Sequence, residues 1–226
     1  MAKAGKYFSR RKKETALLVD PDKFHFQTAA DFDRAVHEIS PSYIFTGGSF
    51  LSTGKTEEVI RFFKQRYSLP VILFPGDYAQ LTSLADAVLF LTLLSGRNAE
   101  YLAAQQIKAA PLLKNTDIDV LSTAYILIEG GKLSTVQYVT QTLPIPRNKP
   151  DLAVATALAG ELMGMRYVYL EAGSGAAYPV PYETVKAVAA ATALPVIVGG
   201  GIKPCEVTRY HEAGANLVVL GTYFEK

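Results

Sequence analysis

Short apolar, β-branched runs alternate with stretches of helical periodicity along the whole chain. That pattern marks a parallel sheet or barrel whose strands are buried on both faces. The strand-like runs are residues 16–19, 43–46, 71–74, 87–93, 122–128, 167–170, 196–198 and 217–220. They match the eight strands that a closed (βα)8 TIM barrel needs. Helical patterns lie between them at 29–39, 57–66, 99–108, 152–163, 183–190 and 205–212, with Thr56, Asn98, Asp151 and Pro204 where N-cap or first-turn residues belong. A chain of 226 residues fits a single domain of this class, here 1–226.

The rhythm breaks in two places. About ten residues separate the third strand from the fourth, too few for a full helix, so a short, partly extended crossover is expected. Residues 130–149, with Pro144 and Pro146 inside and Pro150 at the edge, read as a long irregular excursion of the kind used for lids, binding loops or oligomer contacts. The sequence stops at Lys226, just after the eighth strand. The last helix of a standard barrel is therefore expected to be missing or untraced.

In the second half, three strands run directly into glycine-rich turns: Glu171-Ala172-Gly173-Ser174-Gly175, Gly199-Gly200-Gly201 and Gly221-Thr222. Glycine after a buried strand lets the backbone approach a ligand closely. Turns on three successive strands converge on one phosphate, as often happens at the C-terminal face of a TIM barrel. A phosphorylated small molecule is the first functional expectation.

Charge excludes more than it suggests. With 23 basic and 21 acidic side chains the formal net charge is +2, which gives no reason to invoke nucleic acid. No apolar run reaches the roughly 18–20 residues of a membrane span. The basic run Arg10-Arg11-Lys12-Lys13 reads as a solvated helix end, with attraction to anionic lipid headgroups as the alternative. The single cysteine, Cys205, has no internal partner. A soluble, cytoplasmic protein is expected.

Candidate chemistry gathers at the strand ends. After the first strand come Asp20 and Asp22, either a hard-cation site or a turn cap beside a solvated carboxylate. After the second comes Gly47-Gly48-Ser49; with adjacent strands, Ser49 and Asp20 face one mouth. Glu171, two residues beyond Tyr169 and on the same side of its strand, could accept hydrogen bonds from a polyol or a proton from a hydroxyl; an ion pair is the alternative. Thr222 could add a hydroxyl to the phosphate or simply satisfy its own turn. Arg97 and Asn98, after the fourth strand, suit a diphosphate, although a surface ion pair serves Arg97 equally well. His25, His37 and His211 lack metal-ligand spacing. Cys205 has no evident catalytic partner.

Taken in order, Val19-Asp20-Pro21-Asp22-Lys23, Thr46-Gly47-Gly48-Ser49, Phe74-Pro75-Gly76, Leu94-Ser95-Gly96-Arg97-Asn98, Tyr169 through Gly175, Gly199-Gly200-Gly201-Ile202 and Gly221-Thr222 resemble the geranylgeranylglyceryl phosphate synthase family over about residues 15–225. The resemblance implies a TIM barrel that transfers a prenyl group from a prenyl diphosphate to the sn-3 hydroxyl of sn-glycerol 1-phosphate. It implies Mg2+ held by Asp20 and Ser49, and glycerol phosphate wrapped by Tyr169, Leu170, Glu171, Ala172, Gly173, Ser174 and Gly175. In the same scheme Glu171 and Tyr169 are catalytic, Gly200, Gly201, Gly221 and Thr222 bind the phosphate, and Arg97 and Asn98 lie near the diphosphate. It further implies a homo-oligomer, a dimer or hexamer, and transient contact with a membrane surface for the lipid product.

Two departures bear on this. The bacterial subgroup with a heptaprenyl donor carries a lysine two positions before the metal aspartate, where this chain has Leu18. That difference and the Glu-Ala-Gly-Ser-Gly motif resemble the archaeal-type subgroup, so geranylgeranyl diphosphate is the expected donor and a longer prenyl diphosphate the alternative. The missing last helix is the second departure. Tyr78, Leu81, Phe90, Tyr101 and Tyr125 are candidate walls for an apolar tail, or else core residues. The rivals are a sugar-phosphate isomerase or indole-glycerol-phosphate-type lyase, which needs a paired acid and base, and a non-catalytic phosphate-binding barrel.

Overall fold

The computed structural model of the chain describes residues 7–221. Eight parallel strands, β1 (Glu14–Val19), β2 (Tyr43–Thr46), β3 (Val71–Leu73), β4 (Ala87–Leu93), β5 (Asp119–Leu127), β6 (Tyr167–Glu171), β7 (Val196–Gly199) and β8 (Leu217–Leu220), pair in chain order. β8 closes the TIM barrel on β1, with Ala16 opposite Val219. The surrounding helices are α1 (Ala29–Ile39), α2 (Thr56–Arg66), α3 (Gln105–Lys114), α4 (Thr135–Thr140), α5 (Pro150–Leu162), α6 (Tyr182–Ala191) and α7 (Val207–Glu212).

Period-two alternation sends the strand side chains into two apolar layers. Phe45, Ile72, Leu89, Leu121, Tyr169, Ile197 and Leu217 fill the barrel interior. Their sequence neighbours, among them Ile44, Leu73, Val88, Val168, Leu170 and Val218, pack outward against helical residues such as Phe32, Phe63, Ala157 and Val188. Each strand therefore reads as a continuous apolar run.

Two local expectations about helices are corrected. The helix expected at 99–108 opens instead with a π-helical turn at Glu100–Ala104 and continues as α3 to Lys114, past Pro111. Its solvent side carries exposed Ile107 and Leu112, which hides its periodicity. The excursion at 130–149 contains α4, started by a capping box between Ser134 and Gln137. Six residues are too short to show a helical pattern. The short third crossover forms as expected, with only a 3-10 turn at Tyr78–Gln80.

The basic run is a fastening rather than a solvated helix end. Arg10 donates to the carbonyls of Thr192 (2.6 Å) and Ala189 (3.1 Å) at the end of α6. Lys13 donates to those of His211 (2.7 Å) and Ala215 (3.1 Å) at the end of α7. Cations here meet the carbonyls and negative dipole ends that helices leave open. They draw Phe8 into the bottom of the barrel, where it is 1% exposed and lies edge-on to Tyr43 (4.9 Å between centroids) and Tyr167 (5.3 Å).

Phe8→Ala opens the floor of the barrel. Loss of a buried phenyl costs about 3–5 kcal/mol, and urea unfolding is expected to show it; a loss below about 1 kcal/mol would mean Phe8 is not a core element.

Candidate active site

A cavity of about 530 Å3 opens at the C-terminal ends of the strands. Its walls include Asp20, Gly48, Phe74, Leu93, Tyr125, Glu171, Gly200 and Gly221, so every strand or the turn after it contributes. A branch leaves the mouth across β4. β3 has three residues and pairs with β4 at only two positions, Ile72–Ala87 and Leu73–Val88. With no helix between these strands, the outer face of β4 beyond Val88 meets the 77–81 turn and α3. Tyr78, Leu81, Phe90, Tyr101 and Gln106 line that slot. The five candidate wall residues, Tyr125 included, all line the cavity.

Glu171 is the last residue of β6 and is 5% exposed. Among the described residues it makes no ion pair. Its Oε1 accepts the Gly173 N–H at 2.7 Å. Burial pushes its pKa up to about 7, against the downward pull of that hydrogen bond. Tyr169 lies beside it, near enough for its hydroxyl to help lower the Glu171 pKa, and among the described residues that buried hydroxyl meets no partner in full hydrogen-bond geometry. Burial and the nearby Glu171 raise the Tyr169 and Tyr125 phenols well above their usual value, so both stay protonated and can donate. The rings of Phe74 and Tyr169 stack at 5.1 Å, with Tyr125 at 5.4 Å from Tyr169. Gly200 has φ +89, and a Cβ there would sit 2.3 Å from Glu171 Oε1 and 2.7 Å from Gly173 N. Only glycine lets these two turns close together.

Across the mouth, Asp20 and Ser49 both line the cavity. Asp20 Oδ1 accepts the Asp22 N–H at 3.0 Å and Oδ2 pairs with Lys23 at 3.3 Å. Asp22 is not a free carboxylate: it accepts the backbone and hydroxyl donors of Ser52 and Thr53. No group of three or more His, Cys, Asp or Glu side chains suited to a metal occurs among the described residues.

The other expected site residues divide. Gly173, Ser174, Gly201 and Gly221 line the cavity. Leu170 and Ala172 point into the layer between strands and helices, leaving only their backbone near the site. Gly175 adjoins Lys132, whose Nζ would be 3.6 Å from a Cβ added there. Thr222 lies outside the described residues. Arg97 and Asn98 are not on the cavity wall. Arg97 donates to the Gly96 carbonyl at 2.7 Å, while Asn98 accepts the Glu100 N–H and donates to the Thr140 carbonyl at 2.9 Å. Asn98 starts the π-helical turn and ties α4 down.

Sequence reasoning missed several residues. Thr135, Val136 and Thr140 of α4 line the cavity. Arg147 holds the excursion to the loop after β6 through the carbonyls of Glu129, Tyr178 and Pro179. Gln106 donates to the carbonyls of Leu91 and Tyr101. The Ser134-Gln137 pair was the one available signal for α4.

A model of the PcrB family matches residues 9–226. The geranylgeranylglyceryl phosphate synthase of Flavobacterium johnsoniae is 46% identical over 214 residues, covering 94% of this chain and 88% of that one. The enzyme of the same name from Pyrococcus furiosus is 42% identical over 217 residues, covering 95% and 86%. Among solved structures, (S)-3-O-geranylgeranylglyceryl phosphate synthase from Thermoplasma acidophilum, in complex with its substrate sn-glycerol-1-phosphate, superimposes with a TM-score of 0.88 at 35% identity. It covers 96% of this chain and 88% of that one.

The raised pKa of Glu171 links stability to pH. Between its ordinary value of 4.5 and about 7, the folded protein keeps a proton that the unfolded chain has lost, so stability falls as pH rises through that window. Glu171→Gln removes the titration. Urea unfolding without ligand is expected to show the wild type losing on the order of 3 kcal/mol relative to the variant from pH 4.5 to 7. Parallel pH curves would contradict the burial.

Proposed function

The chain belongs to the PcrB family, and from that premise we propose that it transfers a geranylgeranyl group from geranylgeranyl diphosphate to the sn-3 hydroxyl of sn-glycerol 1-phosphate, releasing pyrophosphate. The observation that carries this reading is one cavity combining a buried carboxylate, ringed by glycine turns, with an apolar slot opening beside it. A polyol phosphate fits the first and a prenyl tail the second.

The phosphate binds at Gly200, Gly201 and Gly221, and the glycerol hydroxyls at Glu171 and Tyr169. Glu171 accepts hydrogen bonds from the polyol, and Tyr169 supplies a neutral donor. The diphosphate sits at Asp20 and Ser49, and the tail runs past Phe90, Tyr101 and Tyr78. The allylic carbon–oxygen bond breaks with its electron pair leaving on pyrophosphate, and the sn-3 oxygen forms the new ether bond. Its proton passes to the Glu171 carboxylate, whose pKa of about 7 suits a base near neutrality. Positioning supplies much of the rate, since both reactants are held at one mouth.

The cavity wall carries Asp20, Asp22, Asp77 and Glu171 against Lys23 as its basic side chain among the described residues. Two anionic substrates entering such a site call for a cation. Asp20 and Ser49 offer oxygen donors, and so few protein ligands suit Mg2+, which keeps waters and takes substrate phosphates. Bound there, Mg2+ offsets the diphosphate charge and eases departure of pyrophosphate.

No helix among the described residues is long and apolar enough to cross a membrane. We read the enzyme as cytoplasmic and homo-oligomeric; solvent-facing Leu133, Tyr138, Leu143 and Leu162 support contacts between copies.

Purified protein incubated with sn-glycerol 1-phosphate, Mg2+ and labelled prenyl diphosphates of graded length is expected to form a prenylglyceryl phosphate, fastest with the 20-carbon donor and not at all with EDTA. A faster heptaprenyl donor would move the chain-length assignment. No product with any donor, alongside glycerol phosphate binding, would leave a non-catalytic barrel. Asp20→Ala is expected to abolish turnover while sparing glycerol phosphate binding, and full activity in that variant would remove Asp20 from the metal site. Glu171→Gln, which loses hydrogen bonds to a charged acceptor, is expected to lower kcat/KM for glycerol phosphate roughly 10- to 100-fold. The KM for the prenyl diphosphate should hold while that for glycerol phosphate rises; equal rises in both KM values would argue against the assignment.

A further inference from the structure

We propose that Asp22 is a positioning residue that clasps the loop between β2 and α2 over the diphosphate end of the cavity. The proposal rests on the reading of that end given above. Asp20 and Asp22 stand two residues apart after β1, yet their carboxylates serve different neighbours. Asp22 Oδ2 accepts the Ser52 N–H at 2.6 Å and the Ser52 hydroxyl at 2.8 Å. Its Oδ1 accepts the Thr53 N–H at 3.1 Å and the Thr53 hydroxyl at 2.5 Å. Four donors occupy the lone pairs of an ionised carboxylate, so Asp22 has no capacity left for a cation.

The clasped segment needs this anchor. Ser52, Thr53 and Gly54 are exposed, and Phe50 is 65% exposed although it lines the cavity. Little apolar burial holds the loop down between Gly48 and Thr56. At its inner end the loop is seated by close backbone contact: a Cβ at Gly76 would lie 2.6 Å from the Gly48 carbonyl oxygen and 2.8 Å from Ser49 Cα. Gln80 also reaches the Gly48 carbonyl at 3.3 Å. Asp22 holds the outer end. Between these two fixings lie Ser49 and Phe50, which line the cavity together with Asp20, and Asp20 approaches the inner end itself, its Cγ 3.6 Å from a Cβ built on Gly48. A carboxylate that touches no substrate thus sets the placement of a hydroxyl and a ring that do.

Asparagine at this position replaces one acceptor oxygen by a donor NH2 that faces one backbone N–H and one hydroxyl, so Asp22→Asn releases one arm of the clasp with little change in volume. Steady-state kinetics of Asp22→Asn are expected to show KM for the prenyl diphosphate raised ~10-fold, the effect of losing charge-assisted hydrogen bonds. KM for sn-glycerol 1-phosphate and the Mg2+ requirement should stay at wild-type values. The double variant Ser52→Ala/Thr53→Ala, altered only at exposed positions, is expected to move the same constant in the same direction. Chymotrypsin and trypsin cleavage after Phe50 and Lys55 should quicken in both variants, a readout that needs no turnover. Equal shifts in both KM values, or unchanged cleavage, would overturn the clasp. So would a raised Mg2+ requirement in Asp22→Asn with no effect from the double variant, which would make Asp22 a metal ligand. A wild type that transfers no prenyl group would instead refute the proposed reaction, with the cleavage rates still deciding the clasp.

Discussion

The carboxylate of Glu171 sits at the mouth of the barrel with no ion-pair partner among the described residues, and its surroundings follow from that placement. A buried carboxylate is costly unless protonated or hydrogen-bonded. Here one backbone N–H offsets part of the cost, and protonation near neutrality takes up more. The arrangement requires the turn after β7 to press against the carboxylate, which only glycine at position 200 permits. It also requires an apolar floor, supplied by the stacked rings of Phe74 and Tyr169 with Tyr125 tilted against both. Such a group is poised to gain more from a polyol than a solvated carboxylate could, because it has given up water in advance.

The apolar side of the site follows from what one crossover omits. Every other strand pair in a TIM barrel is backed by a helix, and the outer face of each strand is then core. Between β3 and β4 the chain makes only a 3-10 turn, so Phe90 and its neighbours on β4 face a slot instead of a helix. α3, entered through a π-helical turn, closes the far wall; such turns recur at functional sites because they re-aim side chains. The roof is the 130–149 excursion. Asn98 holds the end of α4, Ile145 bridges to Ile128, and Arg147 gathers three carbonyls. The roof is thus fastened at several points and built as part of the wall.

The strands and the glycine turns were legible in the sequence because both rest on local rules. A strand buried on both faces is an apolar run, and a backbone that must approach a ligand leaves glycines behind. That Asp20, Ser49 and Glu171 line one mouth was legible as well, since topology alone carries residues after strand ends to one rim. What escaped depended on long-range partners. Nothing near Arg10 shows that helix ends almost two hundred residues away will receive it. Nothing near Asn98 shows that its amide will tie down Thr140, and the same Ser-Gly-Arg-Asn segment fits a diphosphate equally well on paper. Asp22 reads from the sequence as either a cation ligand beside Asp20 or a solvated carboxylate, because its four donors come from a loop about thirty residues further on.

Charge placement explains why one mouth can hold two anions. The phosphate end presents backbone groups and small side chains, which bind an anion without adding a competing cation. The diphosphate end presents carboxylates, and these welcome an anion only together with a divalent cation. A lysine-rich mouth would attract both substrates to both ends with little preference. In the proposed reaction, a wall whose basic side chain among the described residues is Lys23 would sort the substrates by what each brings: the polyol phosphate to the amides and Glu171, the metal-bound diphosphate to Asp20. On that reading the sn-3 oxygen and the allylic carbon meet between the two ends, above the rings of Phe74, Tyr125 and Tyr169.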